Sequence, residues 1–439
     1  MKSVALLVAL VAAALAQHWD IEQVDSAGWG VGVQMRWHPD GRLFLCYGNS
    51  TSGAVRLAWM DSSWHRCDLP VAVGLNLWGA GPQAFDVGKR GEMAVVCRDS
   101  LGHLLYAERD QDTWVVDTVP AGTVDFRTWV AFDTSALPNV VYGMAAAHSA
   151  VLMHGVRLDT SWVNDSVDWS SPGWPYVDYA CQWARFDRFD KLHLVYTFSY
   201  DMGDDSTERP YWEAYLYEAR KDGNSWRREL VTAGVYTYIR SVSAALDTAG
   251  HMSFSYSTSQ MIPPPCPSFY CDGDQIDTSV GDATLAYDVL NRLHLAYSSA
   301  SGLAYRCKAD GVWYVPPGPG VDSVEYIDIA LDSLQEPLIA YSTPGGVWLA
   351  HGIDVAGQSE ERGEPTAYSL QPTASIVRNV LFLPVNGEGR MARSELMDAS
   401  GRRVMVLKTG ANDVRQLRAG VYFMRESTDG RTRKVLIAR

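Results

Sequence analysis

The chain has 439 residues, of which 20% are charged, and it carries 16 Trp and 22 Tyr. This profile excludes a disordered chain and suits an all-β protein with a large buried core. Its net charge of −14 is uneven: residues 362–439 hold 14 Lys/Arg against 7 Asp/Glu, leaving 23 against 44 elsewhere. The change of sign marks a domain boundary, and the acidic body argues against nucleic acid or an anionic membrane as partner.

The N-terminus reads as a secretory signal. Lys2 precedes the apolar run Val4–Ala13, and Ala14-Leu15-Ala16 predicts cleavage before Gln17, so residues 1–16 are expected to be removed. The run is shorter than the about 20 residues that cross a bilayer. No other stretch qualifies, so no transmembrane segment is expected and the mature chain should be secreted or held at the cell surface.

One motif then recurs: a strand, a turn opened by a short polar residue, and a second strand ending near an aromatic. The copies are WHPDGRLFLCY at His38, FDVGKRGEMAVVC at Asp86, FDTSALPNVVY at Asp133, FDRFDKLHLVY at Asp187, LDTAGHMSFSY at Asp247, YDVLNRLHLAY at Asp288 and LDSLQEPLIAY at Asp332. The anchors lie 48, 47, 54, 60, 41 and 44 residues apart, and a period near that length with several strands per unit predicts a β-propeller. In the copy at Asp247 the carboxylate can accept backbone N–H groups while Gly250 permits positive φ, and Met252–Tyr256 alternates as a strand. A second motif, a strand and an acidic turn before Trp64, Trp114, Trp162, Trp226 or Trp313, adds strands three and four of each blade. The seventh copy has no such Trp-led strand, whereas Trp19–Val24 reads as a fourth strand without its other three. This segment is expected to complete the last blade against Gly346–His351 and close the ring. The fold class is therefore all-β: a seven-bladed β-propeller over residues 17–357, a polar linker at 358–365, and a small Ig-like β-sandwich over 366–439.

Aligned strands expose the candidate site. Two residues before the anchor stand Ala84, Ala131, Ala245, Ala286 and Ala330, but Arg36 and Arg185 in two copies. Arginine in a crowded layer implies a buried ion pair or a polar pore lining. Four residues before the anchor stand Gln34, Trp129, Trp183, Ser243, Thr284 and Asp328, expected around the pore mouth. The long loop before the fourth blade brings Trp174, Tyr176 and Asp178, and the next adds Tyr236 and Tyr238. Trp and Tyr beside carboxylates fit a glycan, whose apolar face stacks on rings, and fit a protein epitope equally. Two acidic insertions, Ser199–Glu208 and Gln260–Asp277, fall in neighbouring blades. Asp272, Asp274 and Asp277 offer hard oxygen ligands for Ca²⁺, at a spacing unlike an EF-hand; a solvated acidic loop is the alternative. No other cofactor is expected. Cys266 and Cys271 are placed for a local disulfide, and most of the other five cysteines, on or beside strands, read as buried free thiols.

The repeats resemble the propellers of secreted bacterial proteins with "D-x-x-G-x-P-H-I-x-Y" strands. His193 and His294, both six after the anchor, are read as scaffold groups bonding a neighbouring blade. The DGxxW turns resemble the Asp-box of sialidase-like propellers, although Asp222 stands one residue too close to Trp226. The C-terminal segment resembles the sorting domain of the type IX secretion system, through ELMDASGRRVMVL (Glu395–Leu407), LRAGVYFMR (Leu417–Arg425) and RKVLIAR (Arg433–Arg439); it departs from it in lacking the opening Tyr-Pro-Asn-Pro. That resemblance implies secretion machinery as a partner. No spacing singles out a catalytic pair of carboxylates, a hydrolase triad or a phosphate loop. The sequence therefore favours an exported, non-catalytic binder of a glycan or extracellular protein. A carbohydrate-active enzyme, glycosidase or polysaccharide lyase, is the alternative.

Overall fold

The computed structural model describes residues 18–26, 30–61, 63–72, 84–111, 113–146, 149–170, 176–204, 210–260, 267–278, 280–353, 355, 375–377, 380–383, 394–398, 402–408, 410–418, 420–425 and 432–437. The segments 1–16 and 358–365, and the residues Trp174 and Cys266, lie outside them. The chain divides into two compact units: Met1–His38, Leu43–Met60 and Trp64–Gln358 in one, and Pro39–Arg42, Asp61–Ser63 and Ser359–Arg439 in the other. The described residues hold strands and turns, and no helix long and apolar enough to cross a membrane.

In the first unit the repeats fold as antiparallel sheets with chain order kept from strand to strand. The first runs Gly30–Trp37, Leu43–Asn49, Ala54–Met60 and Trp64–Ala72. The fourth runs Tyr176–Phe186, Leu192–Asp204, Pro210–Asp222 and Ser225–Val235. The fifth and sixth repeat this plan, beginning with Thr237–Leu246 and Val280–Tyr287. The second and third are joined in one seven-stranded sheet, because the 20-residue strand Thr113–Phe132 is outermost in one and innermost in the other.

The last repeat supplies Ile327–Leu331, Pro337–Thr343 and Gly346–Ile353, and its fourth strand is the N-terminal His18–Asp25. Trp19 stands opposite Gly352 and Asp25 opposite Val347. The strand is held by side chains too. The Trp19 indole donates to the Pro317 carbonyl at 2.9 Å, and Val24 is buried with Met35, Leu45 and Val347. Asp25 accepts from Tyr47 and Arg56 of the first repeat at 2.8 and 2.9 Å. The innermost strands touch one another in chain order, and Ile327–Leu331 touches Gly30–Trp37.

The anchor turns share one geometry. In the copies at Asp133, Asp187, Asp247, Asp288 and Asp332, the anchor Oδ1 accepts from the amides two and four residues on, at 2.7–2.9 Å. The residue three positions on takes positive φ: Ala136, Asp190, Gly250, Asn291 and Gln335. Only Gly250 adopts it without strain. Three of the others use the conformation, since their side chains accept the turn amide of the preceding repeat. Asp190 takes Thr134 N, Asn291 takes Thr248 N and Gln335 takes Val289 N, at 2.8–3.0 Å.

Two sequence readings change here. In the second repeat the turn opens at Gly88, not Asp86: Gly88 N donates to Glu92 O and Gly91 N to Gly88 O. Glu92 replaces the missing carboxylate by accepting from Arg90 N at 3.1 Å. Asp86 therefore falls two residues before its turn, at the register position of Arg36 and Arg185, and Ala84 falls four before. The two histidines bond within their own repeats and not to a neighbouring blade. His193 Nε2 meets the Asp187 carboxylate at 3.2 Å, and His294 Nδ1 meets Tyr305 Oη at 2.7 Å.

The proposed disulfide is also corrected. Cys271 carries a free thiol, buried on the strand Ser268–Cys271 among Phe269, Leu285 and Leu295. Its side chain faces the core between sheets, where burial pushes the thiol up and keeps it protonated. Cys46, Cys97, Cys181 and Cys307 are buried free thiols, and Cys67 is a half-buried one.

The second unit holds a five-stranded sheet in the order Ser375–Val377, Thr432–Ile437, Gly420–Arg425, Ser394–Asp398, Arg403–Leu407. A separate ladder pairs Val380–Leu383 with Gly410–Asp413. The strands Ser375–Val377 and Val380–Leu383, close neighbours in sequence, thus belong to two different sheets. Leu396, Leu407, Val414, Tyr422, Met424 and Ile437 form its core.

The turn anchors make stability depend on pH. Burial opposes the charge of Asp288, but His294, together with the Arg292 amide and guanidinium, holds its carboxyl down at about 2, below the ordinary 3.8. A depressed carboxyl stabilises the fold above its unfolded value and loses that contribution as pH falls toward 2. Asp288→Asn is expected to lower stability at neutral pH and flatten the acid limb of a pH–unfolding curve. A curve that keeps the wild-type slope between pH 4 and 2 would contradict this assignment.

Candidate functional site

Each innermost strand pairs on one side only. Its other edge carries backbone amides with no strand beside them, and buried amides need partners. Side chains of the preceding repeat supply these. Phe85 N donates to Gln34 Oε1, and at longer range Phe132 N donates to Asp86 Oδ2 at 3.0 Å. Leu285 N donates to Ser243 Oγ at 3.2 Å, and Ile327 N to Asp282 Oδ2 at 3.1 Å. Met35 N donates to Asp328 Oδ2 at 2.7 Å, carrying the pattern from the last repeat to the first.

These strands enclose a cavity of about 900 Å³. Gln34, Trp129, Trp183, Ser243, Thr284 and Asp328 all line it, as do Arg36 and Arg185. Trp183 is 7% exposed and packs with Leu216 and Val242, whereas Trp129 is half-buried. Beside them, two guanidiniums meet two carboxylates. Arg36 reaches Asp328 Oδ2 at 2.9 Å, Asp86 Oδ1 at 3.4 Å and its neighbour's carbonyl, Met35 O, at 2.7 Å. Arg185 reaches Asp86 Oδ1 at 3.4 Å. Both oxygens of Asp328 are engaged, since Oδ1 also accepts from Ile329 N and Thr284 Oγ1 at 3.0 and 3.2 Å.

The cavity also brings in four charged residues that the sequence reading passed over: Arg127, Arg240, Asp282 and Glu325. Arg127 and Asp282 stand six residues before their turns. Strands alternate with period two, so positions two, four and six before the turn share a face. That continuation was the available signal. Arg240 is displaced from it by an irregularity between Arg240 and Ser243. Burial pushes the Asp282 carboxyl up to about 6, against the pull of the Ile327 amide. Burial also raises Glu325.

The expected loop residues are spread out. Tyr176 pairs with Asp201 and Asp178 with Ser199 at the end of the fourth sheet. Tyr236 takes φ 53° between two strands, and Tyr238 lies under the Arg240 guanidinium, 4.9 Å from its ring centre. Asp178, Tyr236 and Tyr238 are not among the described residues that line the cavity. The calcium reading is corrected. Asp274 accepts from Lys308 Nζ at 2.8 Å and from the Trp313 indole at 3.0 Å, and Asp272 faces the same ammonium at 3.7 Å. A lysine therefore occupies the position a cation would take, and the three aspartates do not converge. Among the described residues the one group able to converge on a metal is Asp332, Glu336 and His351. There His351 Nε2 faces both carboxylates at 3.2 and 3.7 Å, while Asp332 Oδ1 serves the anchor turn.

No known protein family matches the sequence, and no curated protein resembles it. Solved structures do. A polysaccharide lyase, an ulvan lyase bound to -[GlcA(1-4)Rha3S]-, is 11% identical with a TM-score of 0.50, over 74% of this chain and 94% of the other. The polysaccharide lyase Uly1 is 9% identical with a TM-score of 0.49, over 75% and 90%. The Aleuria aurantia lectin, described as a six-bladed β-propeller, is 13% identical with a TM-score of 0.38, over 70% and 97%. The chain is a β-propeller repeat protein. At these identities the likeness is one of fold.

The charged floor of the cavity sets a measurable expectation. Asp86 is buried, and removing it leaves Arg185 without its carboxylate and Arg36 with one in place of two. Breaking a buried pair from one side costs about 3 kcal/mol or more. Asp86→Ala should therefore lower the urea midpoint substantially, and a midpoint within error of the wild type would refute the network.

Proposed function

We propose that the chain is a closed, seven-bladed β-propeller that binds a glycan in its axial cavity. It would act outside the cell, delivered by its N-terminal signal and a C-terminal Ig-like sorting sandwich. The observation that carries the binding reading is the meeting of Trp129 and Trp183 with fixed polar groups in one cavity of about 900 Å³. A sugar presents an apolar face of C–H groups and an edge of hydroxyls, and an indole beside oriented donors and acceptors matches both. Trp129, the less buried of the two, is the ring available for stacking.

The state of the carboxylates favours binding over turnover. Both oxygens of Asp328 and both of Asp282 accept backbone amides, so these groups serve the scaffold first. One observation favours a second reading, a carbohydrate-active enzyme: the Asp282 carboxyl is raised to about 6, within the range of a proton donor near neutral pH. Turnover of a polysaccharide that is abolished by Asp282→Asn would select that reading.

A glycan array probed with the wild type and Trp129→Ala tests the site. Losing one stacked ring is expected to weaken the hits about tenfold, with the β-sheet circular dichroism retained. An array without hits, or hits that survive the substitution, would overturn the proposed site.

A further inference from the structure

The cavity is divided by charge. Its inner strands follow one another in chain order, so each wall is made by consecutive repeats. The third, fourth and fifth contribute Arg127, Arg185 and Arg240. The sixth and seventh contribute Asp282, Glu325 and Asp328. Trp129 and Trp183 belong to the cationic side.

The two walls differ in how far their groups are already engaged. Asp328 and Asp282 hold backbone amides with both oxygens. Arg36 is committed to two aspartates and a carbonyl. The cationic wall is far less engaged. Among the described residues the polar contact of Arg185 is one oxygen of Asp86 at 3.4 Å, although a guanidinium carries five N–H donors. Its side chain is 36% exposed and Asp86 is shared with Arg36. Arg127 holds the Gln182 carboxamide, and Arg240 lies over the Tyr238 ring. Burial, with the like charge of Arg36 beside it, lowers the Arg185 guanidinium to about 10 against the pull of Asp86 and Asp328, which leaves it charged at neutral pH.

We propose that the glycan of the axial cavity is acidic, and that its carboxylate or sulfate group is held by Arg185 together with Arg127. This rests on the glycan reading above and narrows it to a chemical class. A guanidinium presents two parallel N–H groups that match a planar carboxylate, and it also matches two oxygens of a sulfate ester. The sugar's apolar face lies on Trp129, beside the same strand that carries Arg127. Arg36 acts as a positioning residue: it draws on Asp86 and Asp328 and so keeps them from neutralising Arg185 completely.

Calorimetric titration of the full chain with three oligosaccharides of equal length tests the proposal: an oligogalacturonate, a sulfated galactan and the neutral galactan. The acidic ligands should bind about tenfold or more tightly than the neutral one, and should weaken as salt is raised. Arg185→Met should lower affinity for the acidic ligands about tenfold more than for the neutral one. Since Arg185 also touches Asp86, the exposed Arg127→Gln, which gives up one surface contact with Gln182, serves as a second variant and should lower the same preference with the β-sheet circular dichroism retained. Preference for the carboxylate over the sulfate, or the reverse, names the group. Equal affinity for all three, unaffected by either arginine, would overturn the acidic assignment and leave glycan binding standing. Binding of none of them and of no glycan on the array would overturn both.

Discussion

The whole first unit depends on how it treats the inner edge of each sheet. A strand paired on one side leaves alternate amides pointing at the axis, and a ring of such edges around a cavity would be unstable without partners. At five junctions the chain answers with a side chain that reaches from one repeat to the backbone of the next: Gln34 to Phe85, Asp86 to Phe132, Ser243 to Leu285, Asp282 to Ile327 and Asp328 to Met35. The last of these joins the end of the ring to its beginning. The N-terminal strand His18–Asp25 does the same at the outer edge of the last sheet. Closure is thus made twice, once at the axis and once at the rim.

This arrangement couples fold and site. The polar groups that line the cavity are largely the ones that hold the junctions, so their presence there is no measure of ligand affinity. What remains uncommitted is informative instead. Alanine at positions 131, 245, 286 and 330 leaves room near the axis, and Arg36 and Arg185 occupy it with Asp86 and Asp328 as counter-charges. Two arginines against two aspartates balance in number. They do not balance in geometry, because Arg36 takes the shorter contacts and Arg185 is left with one long one. The imbalance points into the cavity.

Much of the architecture was legible because it rests on local chemistry repeated in register. The anchor aspartates, the positive-φ residue three positions on and the missing Trp-led strand of the last repeat all follow from turn geometry and strand count. Where a repeat solved the turn differently, the reading slipped: Glu92 does from within the turn what an anchor carboxylate does elsewhere, so Asp86 was taken for the anchor. Long-range partners were not legible at all. Nothing local in Asp272 or Asp274 announces Lys308, 36 and 34 residues away, and proximity in sequence said nothing of the direction in which Cys271 faces. The residues four before each turn were marked as a set, but the role of Gln34, Ser243 and Asp328 as acceptors for a neighbouring backbone depends on how the sheets meet. Arg127 and Asp282 could have been found by carrying the same alternation two residues further.

The central claim is that ligand binds at the axis, between the arginine-bearing strands of the third to fifth repeats and the acidic strands of the sixth and seventh. A crystal structure of the chain soaked with an oligogalacturonate tests it most directly. The account predicts sugar density in the axial cavity, with a ring on Trp129 and the carboxylate on Arg185 or Arg127. Density bound only at the outer edges of the sheets, with the axial cavity holding solvent alone, would contradict it.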